Sequence, residues 1–142
     1  MEEIGYKQIR MIEWVKTNPQ PRNSSVNYLT NAREVAILGI KKSKPIFNSH
    51  HDNGVYEYDE EKYGAYYKYP IQNSKNKFHP TQKNIKLFEE LIKKHSNEND
   101  IVLDTFLGGG TTAIACKNTN RQFKGCEINK EYYDKIMELD LN

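Results

Sequence analysis

Asp104-Thr105-Phe106-Leu107-Gly108-Gly109-Gly110-Thr111-Thr112 sets three consecutive glycines between a carboxylate and two hydroxyls, and Glu127 lies 21 residues after Phe106. Glycines lack Cβ, so a loop built on them can turn tightly and let a ligand approach the backbone. A helix starting at the threonines would present unpaired N–H groups and a partial positive charge, which suit an anionic or polar group. An acid about 20 residues further on, at the end of a second strand, is spaced to accept hydrogen bonds from ribose hydroxyls. The chemistry is that of a nucleotide-like ligand. Reading from Gly108 gives Gly-Gly-Gly-Thr-Thr-Ala, which lacks the third glycine of the dinucleotide fingerprint, and no Gly-Lys-Ser/Thr follows to make a phosphate loop. A strand-to-helix turn needing glycine for shape alone is the competing reading.

The elements that must position these residues are legible around them. Ile101, Val102 and Leu103 form an apolar run of strand length ended by Asp104. Ala113 to Cys116 looks helical, and Gln122 to Cys126 is a second short run leading into Glu127. The order is strand, glycine loop, helix, strand, carboxylate, an α/β unit. Upstream, Thr81 is expected to cap a helix with Ile85, Phe88, Leu91 and Ile92 on one face. Downstream, Asn129 to Leu139 reads as a last helix, with Asn129 as its cap and Tyr132, Tyr133, Ile136 and Leu139 toward the sheet. In the first half, Gln8 to Lys16 reads as a strand with imperfect alternation. It is ended by Asn18-Pro19-Gln20-Pro21, because prolines cannot continue a ladder. Arg22 to Asn27 is a polar loop, and Val35 to Ile40 is a second apolar run of strand length.

Composition narrows the class. The 142 residues suit one domain with a core, and 37% hydrophobic with 28% charged residues is polar but globular. No apolar stretch approaches the ~20 residues of a membrane span. The acidic start Met1-Glu2-Glu3 does not resemble a secretory signal. Cys116 and Cys126, the only cysteines, fall in predicted core elements and are expected as buried free thiols. They give neither a zinc pattern nor a disulfide framework, so a reducing, cytoplasmic setting is expected. Net charge is only +2, yet residues 1–83 carry 13 Lys and Arg against 9 Asp and Glu, while residues 84–142 carry 8 against 10. A mildly basic first half suits phosphate contacts or an ordinary solvated surface equally.

From Ile46 to Lys77 the character changes: Tyr56, Tyr58, Tyr63, Tyr66, Tyr67 and Tyr69 sit among acids and lysines with little periodicity. The stretch reads as an irregular loop or small hairpin. Tyrosine with lysine can stack on bases and meet phosphates, or can pack the segment onto the body. His50-His51 beside Asp52 does not make a metal site, because adjacent residues converge poorly on one ion and no further ligand is near in sequence.

With these features in order, the chain resembles the carboxy-terminal portion of bacterial and phage DNA amino-methyltransferases, the N6-adenine/N4-cytosine class in its permuted beta order. The likeness runs from Gly5 to Ile136 and is weakest over residues 46–77. His79-Pro80-Thr81-Gln82-Lys83 is similar to the family's HPTxKP motif. Asp104 to Thr112 is similar to its DPFxGSGTT motif, and Gly125-Cys126-Glu127 to its ribose-binding acid. Trp14 to Pro19 and Thr30 to Glu34 are similar to its W-x-K-x-N-P and T-x-A-x-E stretches. The resemblance implies a Rossmann-like S-adenosylmethionine-dependent methyltransferase fold, incomplete at its amino-terminal side, and a role in restriction-modification.

It further implies that Asp104, Phe106, Leu107, Gly108, Gly110, Thr111 and Thr112 cradle the methionine part of S-adenosylmethionine. Glu127 would hold the ribose hydroxyls. His79, Pro80, Thr81 and Lys83 would line the methionine end. Residues 79–142 form the cofactor-binding part and residues 46–78 a target-recognition insertion within one partial methylase domain. The partner is double-stranded DNA, with adenine N6 expected ahead of cytosine N4, and neither a membrane nor a metal is expected.

Three departures stand in these motifs. Asn84 replaces the second proline of HPTxKP, Thr105 the proline of DPF, and Gly109 the serine of GSG. They are expected to weaken cofactor binding without abolishing it. The larger departure is that the family's catalytic Asp/Asn/Ser-Pro-Pro-aromatic motif does not occur in the 142 residues. Asn18-Pro19-Gln20-Pro21 fails at its third and fourth positions and matches the loop after W-x-K instead. An upstream fragment carrying the motif is therefore expected as a partner, with no catalytic residue in this chain. A module that binds DNA or cofactor without transfer, and an unrelated Rossmann-like protein for another nucleotide, stay open as alternatives.

Overall fold

In the computed structural model, which describes residues 1–19, 31–41, 44–48, 66–72 and 77–139, the chain divides into two units. The first draws on Met1–Pro45 and His50–Ile71, the second on Ile46–Ser49 and Gln72–Asn142. Arg22–Asn27, His50-His51 and three of the tyrosines, Tyr56, Tyr58 and Tyr63, lie outside the described residues.

The first unit is a three-stranded sheet in the order β2-β1-β3. β1 (Tyr6–Lys16) runs antiparallel to β2 (Arg33–Lys41) and parallel to β3 (Tyr66–Tyr69). The imperfect alternation of β1 has a physical origin: its register with β2 breaks between Lys7 and Arg10, where Gln8 takes a positive φ of 50°. Beyond the break, Trp14 is buried and its indole N–H donates to the Tyr69 carbonyl at 2.8 Å. The Lys16 ammonium, also buried, pairs with Glu34 at 2.9 Å. Tyr66–Tyr69, expected as irregular loop or hairpin, is thus a strand tied to β1, and its tyrosines are half-buried.

The second unit holds the strand–loop–helix–strand–acid order expected from the sequence. β4 (Ile101–Asp104) and β5 (Gln122–Gly125) pair in parallel, with Asp104 opposite Gly125. α1 (Ile85–His95), α2 (Thr111–Asn118) and α3 (Lys130–Met137) complete it. α2 is short and made of small residues, so Ala113, Ala115 and Cys116 are wholly buried. Ile92, Ala115 and Cys116 form one cluster with Phe88, Val102 and Phe123, while Leu107, Ala113 and Ile136 form another with Phe78, Phe123 and Leu139. Phe123 belongs to both, so β5 joins the two halves of this core.

Three expectations are corrected here. The cap of α1 is Asn84, not Thr81: the Asn84 Oδ1 accepts from the Leu87 N–H at 3.1 Å. Thr81 stops short because the His79–Gln82 turn, closed by Gln82 N–H on the His79 carbonyl at 3.1 Å, lies between it and the helix. The residue standing where the family motif has proline is therefore a helix cap. Cys126 is exposed rather than buried, because it lies beyond the last residue of β5; Cys116 is buried as expected, and both thiols are free. Tyr133 faces solvent, while Ile136 takes the core position on α3. Asn129 caps α3 as expected, its Oδ1 accepting from the N–H groups of Glu131 and Tyr132.

Asn84→Ala should lower stability by about 1 kcal/mol, the usual loss for an N-cap, read as a fall in the urea midpoint at unchanged slope.

Candidate cofactor site

β4 and β5 end side by side, and the loop after β4 and the acid after β5 therefore meet beyond their carboxyl ends, where open α/β sheets hold ligands. The loop is latched to β5 by its backbone: Leu107 N–H donates to the Cys126 carbonyl at 2.9 Å, and Cys126 N–H to the Asp104 carbonyl at 3.1 Å. Gly108 and Gly110 have φ values of 53° and 71°, in the region where a Cβ is strained. Those two turns bring the chain from the strand into α2 with no side-chain cap on the helix.

Glu127 is held at the rim of this loop. One carboxylate oxygen accepts from the Gly108 N–H at 2.8 Å and the other from the Asn129 N–H at 2.8 Å. Each oxygen keeps a further lone pair, so the acid can accept two more donors without giving up the loop. Hydrogen bonds from Asn129 first and Gly108 second, with the nearby His79 adding to them, hold its carboxyl below the usual carboxylate range. A depressed folded pKa stabilises the loop above the unfolded value, and that contribution is lost as pH falls through the folded pKa. Ligand binding that depends on Glu127 should therefore stay level from neutral pH down to about pH 4, the ordinary carboxylate range, and fall only below it. Titration calorimetry across that range checks this.

The other predicted residues divide into those that shape the loop and those that face outward. Asp104 is engaged by the chain itself, accepting from the Phe106 N–H at 3.0 Å and the Thr112 hydroxyl at 2.5 Å. Thr111 and Thr112 are buried, and the Thr111 hydroxyl donates to the Lys83 carbonyl at 3.4 Å. Leu107 is buried in the core. Phe106 is the opposite case: 89% of it is exposed, leaving a ring open beside the loop. Pro80 and Thr81 are exposed and Lys83 is half-buried.

His79 stands against the loop, its Cε1 lying 3.6 Å from where a Gly108 Cβ would be. Thr81 N–H donates to its Nδ1 at 3.3 Å, which leaves Nε2, on the Gly108 side, as the nitrogen free to donate in the neutral ring. Tyr132 supports the imidazole edge-on, with centroids 4.4 Å apart.

Sequence reasoning passed over Gln82, Asn129 as a partner of Glu127, and Tyr132. Gln82 is 5% exposed, and its Oε1 has no hydrogen-bond donor among the described residues. A Cβ on Gly109 would lie 2.8 Å from the Gln82 Cγ, so the two residues occupy adjoining space. The signal was its place inside the motif, at a position that varies. Among the described residues no group of His, Cys, Asp and Glu could hold a metal ion, and no helix is long and apolar enough to cross a membrane.

These residues fit an adenosyl ligand with an amino-acid end: an ionised acid with spare acceptor capacity, glycines that leave room at the backbone, and a buried orphan oxygen at the loop. The comparisons with known proteins agree. A DNA methylase family profile, that of the N6/N4 class, matches residues 1–138. The type II methyltransferase M2.LlaDCHI of Lactococcus lactis subsp. cremoris is 33% identical over 146 residues, covering all of this chain and 54% of that protein. The crystal structure of an M1.HpyAVI–SAM complex superposes with a TM-score of 0.73 at 38% identity, covering 96% of this chain and 63% of that one. The cytosine-N4-specific PvuII DNA methyltransferase, at 18% identity and a TM-score of 0.68, shares the fold. The chain spans about half the length of the curated relatives it matches.

Proposed function

The chain belongs to the N6/N4 DNA methylase family, and from that premise we propose that it is the cofactor-binding and DNA-recognition portion of an S-adenosylmethionine-dependent DNA amino-methyltransferase. The observation that carries this reading is the Glu127 carboxylate, fixed by the Gly108 and Asn129 N–H groups beside a glycine loop at the carboxyl ends of two parallel strands. The distribution of roles follows from the hydrogen bonds. Glu127 accepts the ribose hydroxyls with the lone pairs that Gly108 and Asn129 leave. The Gly108–Gly110 loop and His79 Nε2 line the amino-acid end, and Phe106 covers the ligand with its exposed ring. Asp104 and Thr112 hold the loop in shape through their hydrogen bond, and Thr111 ties it to the Lys83 carbonyl.

When bound, S-adenosylmethionine supplies an electrophilic methyl group on a sulfonium. The acceptor is an exocyclic amine of a DNA base, adenine N6 or cytosine N4, and adenine is the expected target. Such an amine is a poor nucleophile because its lone pair is delocalised into the ring. It needs acceptors for its protons and an aromatic face for the flipped base. The Asp/Asn/Ser-Pro-Pro-aromatic motif that meets both needs is not among the 142 residues. A segment carrying it, in the same polypeptide or a second one, is the proposed catalytic partner. Residues 46–78 are the proposed target-recognition element.

Exposing the chain to methyl-labelled S-adenosylmethionine under ultraviolet light, with and without duplex DNA, tests both parts. The expected result is cofactor cross-linking, competed by S-adenosylhomocysteine and not by NAD, with no label passed to DNA. Label on DNA from this chain alone would contradict the division of labour. Absence of cross-linking in folded protein would contradict the cofactor reading.

A further inference from the structure

Gly109 is enclosed on the side where any other residue would carry its side chain. A Cβ there would lie 2.8 Å from Gln82 Cγ, 2.9 Å from its Cδ and 3.0 Å from its Oε1, closer than real Cβ contacts come. A side chain at 109 is admitted only if the Gln82 side chain shifts. Gln82 is buried, and its backbone is fixed by the hydrogen bond to the His79 carbonyl at 3.1 Å. On the other flank, Ile136 of α3 and Leu139 just beyond it close in on Gly110, where a Cβ would lie 3.2 Å from Leu139 Cδ1 and 3.3 Å from Ile136 Cγ1. Gly110 N–H is drawn to the Leu107 carbonyl at 2.9 Å. The loop thus runs between the Gln82 carboxamide and the side chains of Ile136 and Leu139.

We propose that Gln82 is a positioning residue for this loop: its buried carboxamide fills the space beside Gly109, sets the path of Gly108–Gly110, and so governs binding of the amino-acid end of S-adenosylmethionine. The pair Gln82 and Gly109 is one unit, in which the long side chain belongs to the turn before α1 and the loop supplies none. A serine at 109 adds only a hydroxymethyl group, yet it needs the volume that Gln82 occupies, so beside Gln82 glycine favours binding, the reverse of the expectation from the motif alone. The inference rests on the loop being the S-adenosylmethionine site.

The test compares the chain with Gly109→Ser, Gln82→Ala, the double variant and Gln82→Met. Calorimetric affinities are measured for S-adenosylmethionine and for 5′-methylthioadenosine, which lacks the amino-acid end. Gly109→Ser should weaken S-adenosylmethionine by about 10-fold or more, the effect of one displaced or strained loop contact. The same variant should bind methylthioadenosine within about 3-fold of the parent, since Glu127 is untouched. Adding Gln82→Ala should recover at least about half of the lost affinity on a logarithmic scale, the signature of two coupled neighbours. Gln82→Met, which keeps the bulk, should retain more of the parent's affinity than Gln82→Ala.

A Gly109→Ser chain that fails to fold while the double variant folds and binds supports the pair equally. Parent-like affinity in Gly109→Ser, equal losses for both ligands, or a double variant no better than Gly109→Ser would overturn the proposal. A parent chain that binds neither ligand would instead overturn the functional reading on which it rests.

Discussion

Glu127→Ala is expected to weaken S-adenosylmethionine binding by about 100-fold or more, the loss that accompanies two hydrogen bonds to a charged acceptor. The carboxylate serves twice. It accepts the Gly108 and Asn129 N–H groups at 2.8 Å each, and it has acceptor capacity left for the ribose hydroxyls. Truncation removes the ribose contacts and leaves two backbone donors to solvent, so the loop loses its tie to the start of α3. Glu127→Gln separates the two functions. It keeps the side-chain length but can present only one oxygen, so it should fall between the parent and Glu127→Ala. Calorimetric titration of the three proteins, each checked for folding by circular dichroism, measures the series. Equal affinity in all three would remove Glu127 from the site.

Gly108→Val is expected to reduce affinity by about as much, 100-fold or more, through the backbone. Gly108 has φ 53°, and a β-branched residue in that region is a conformational outlier costing of order 1–3 kcal/mol. The added Cβ would sit 3.6 Å from His79 Cε1 and 3.7 Å from its Nε2, so the two γ-methyls crowd the imidazole that faces the loop. Relief of either strain turns the Gly108 N–H away from Glu127 and dismantles the contact on which the first prediction rests. Because Gly108 itself belongs to neither core cluster, the loss should appear in affinity far more than in the thermal midpoint. A midpoint that collapses together with affinity would place Gly108 in the stability of the fold instead.

Both predictions lie where local sequence signals and tertiary structure agree. The run Ile101–Leu103, the three glycines, the small residues of α2 and the acid after Gln122–Cys126 follow one another closely. Backbone periodicity and glycine chemistry suffice there to place Glu127 next to Gly108. Other features depend on partners that sequence patterns do not disclose. Tyr66–Tyr69 is four residues without alternation, and it becomes a strand only because β1, more than fifty residues earlier, offers it a parallel edge. The cap of α1 is set by where the His79–Gln82 turn ends, which moves the capping role from Thr81 to Asn84. Asp104 is expected at the ligand by motif, but the motif does not disclose that its oxygens also accept from the Phe106 N–H and the Thr112 hydroxyl. Gln82 stood at a variable motif position, and its role is visible only through the volume it takes from Gly109. Cys126 read as a core residue because it closes the short run Gln122–Cys126, but β5 ends one residue before it.

Calorimetric titration of the purified chain with S-adenosylmethionine, alongside NAD and ATP, tests the central claim most directly. The account predicts saturable binding of S-adenosylmethionine at one site per chain, with neither NAD nor ATP competing. A chain that is folded by circular dichroism and still fails to bind S-adenosylmethionine, or prefers NAD or ATP, would contradict it.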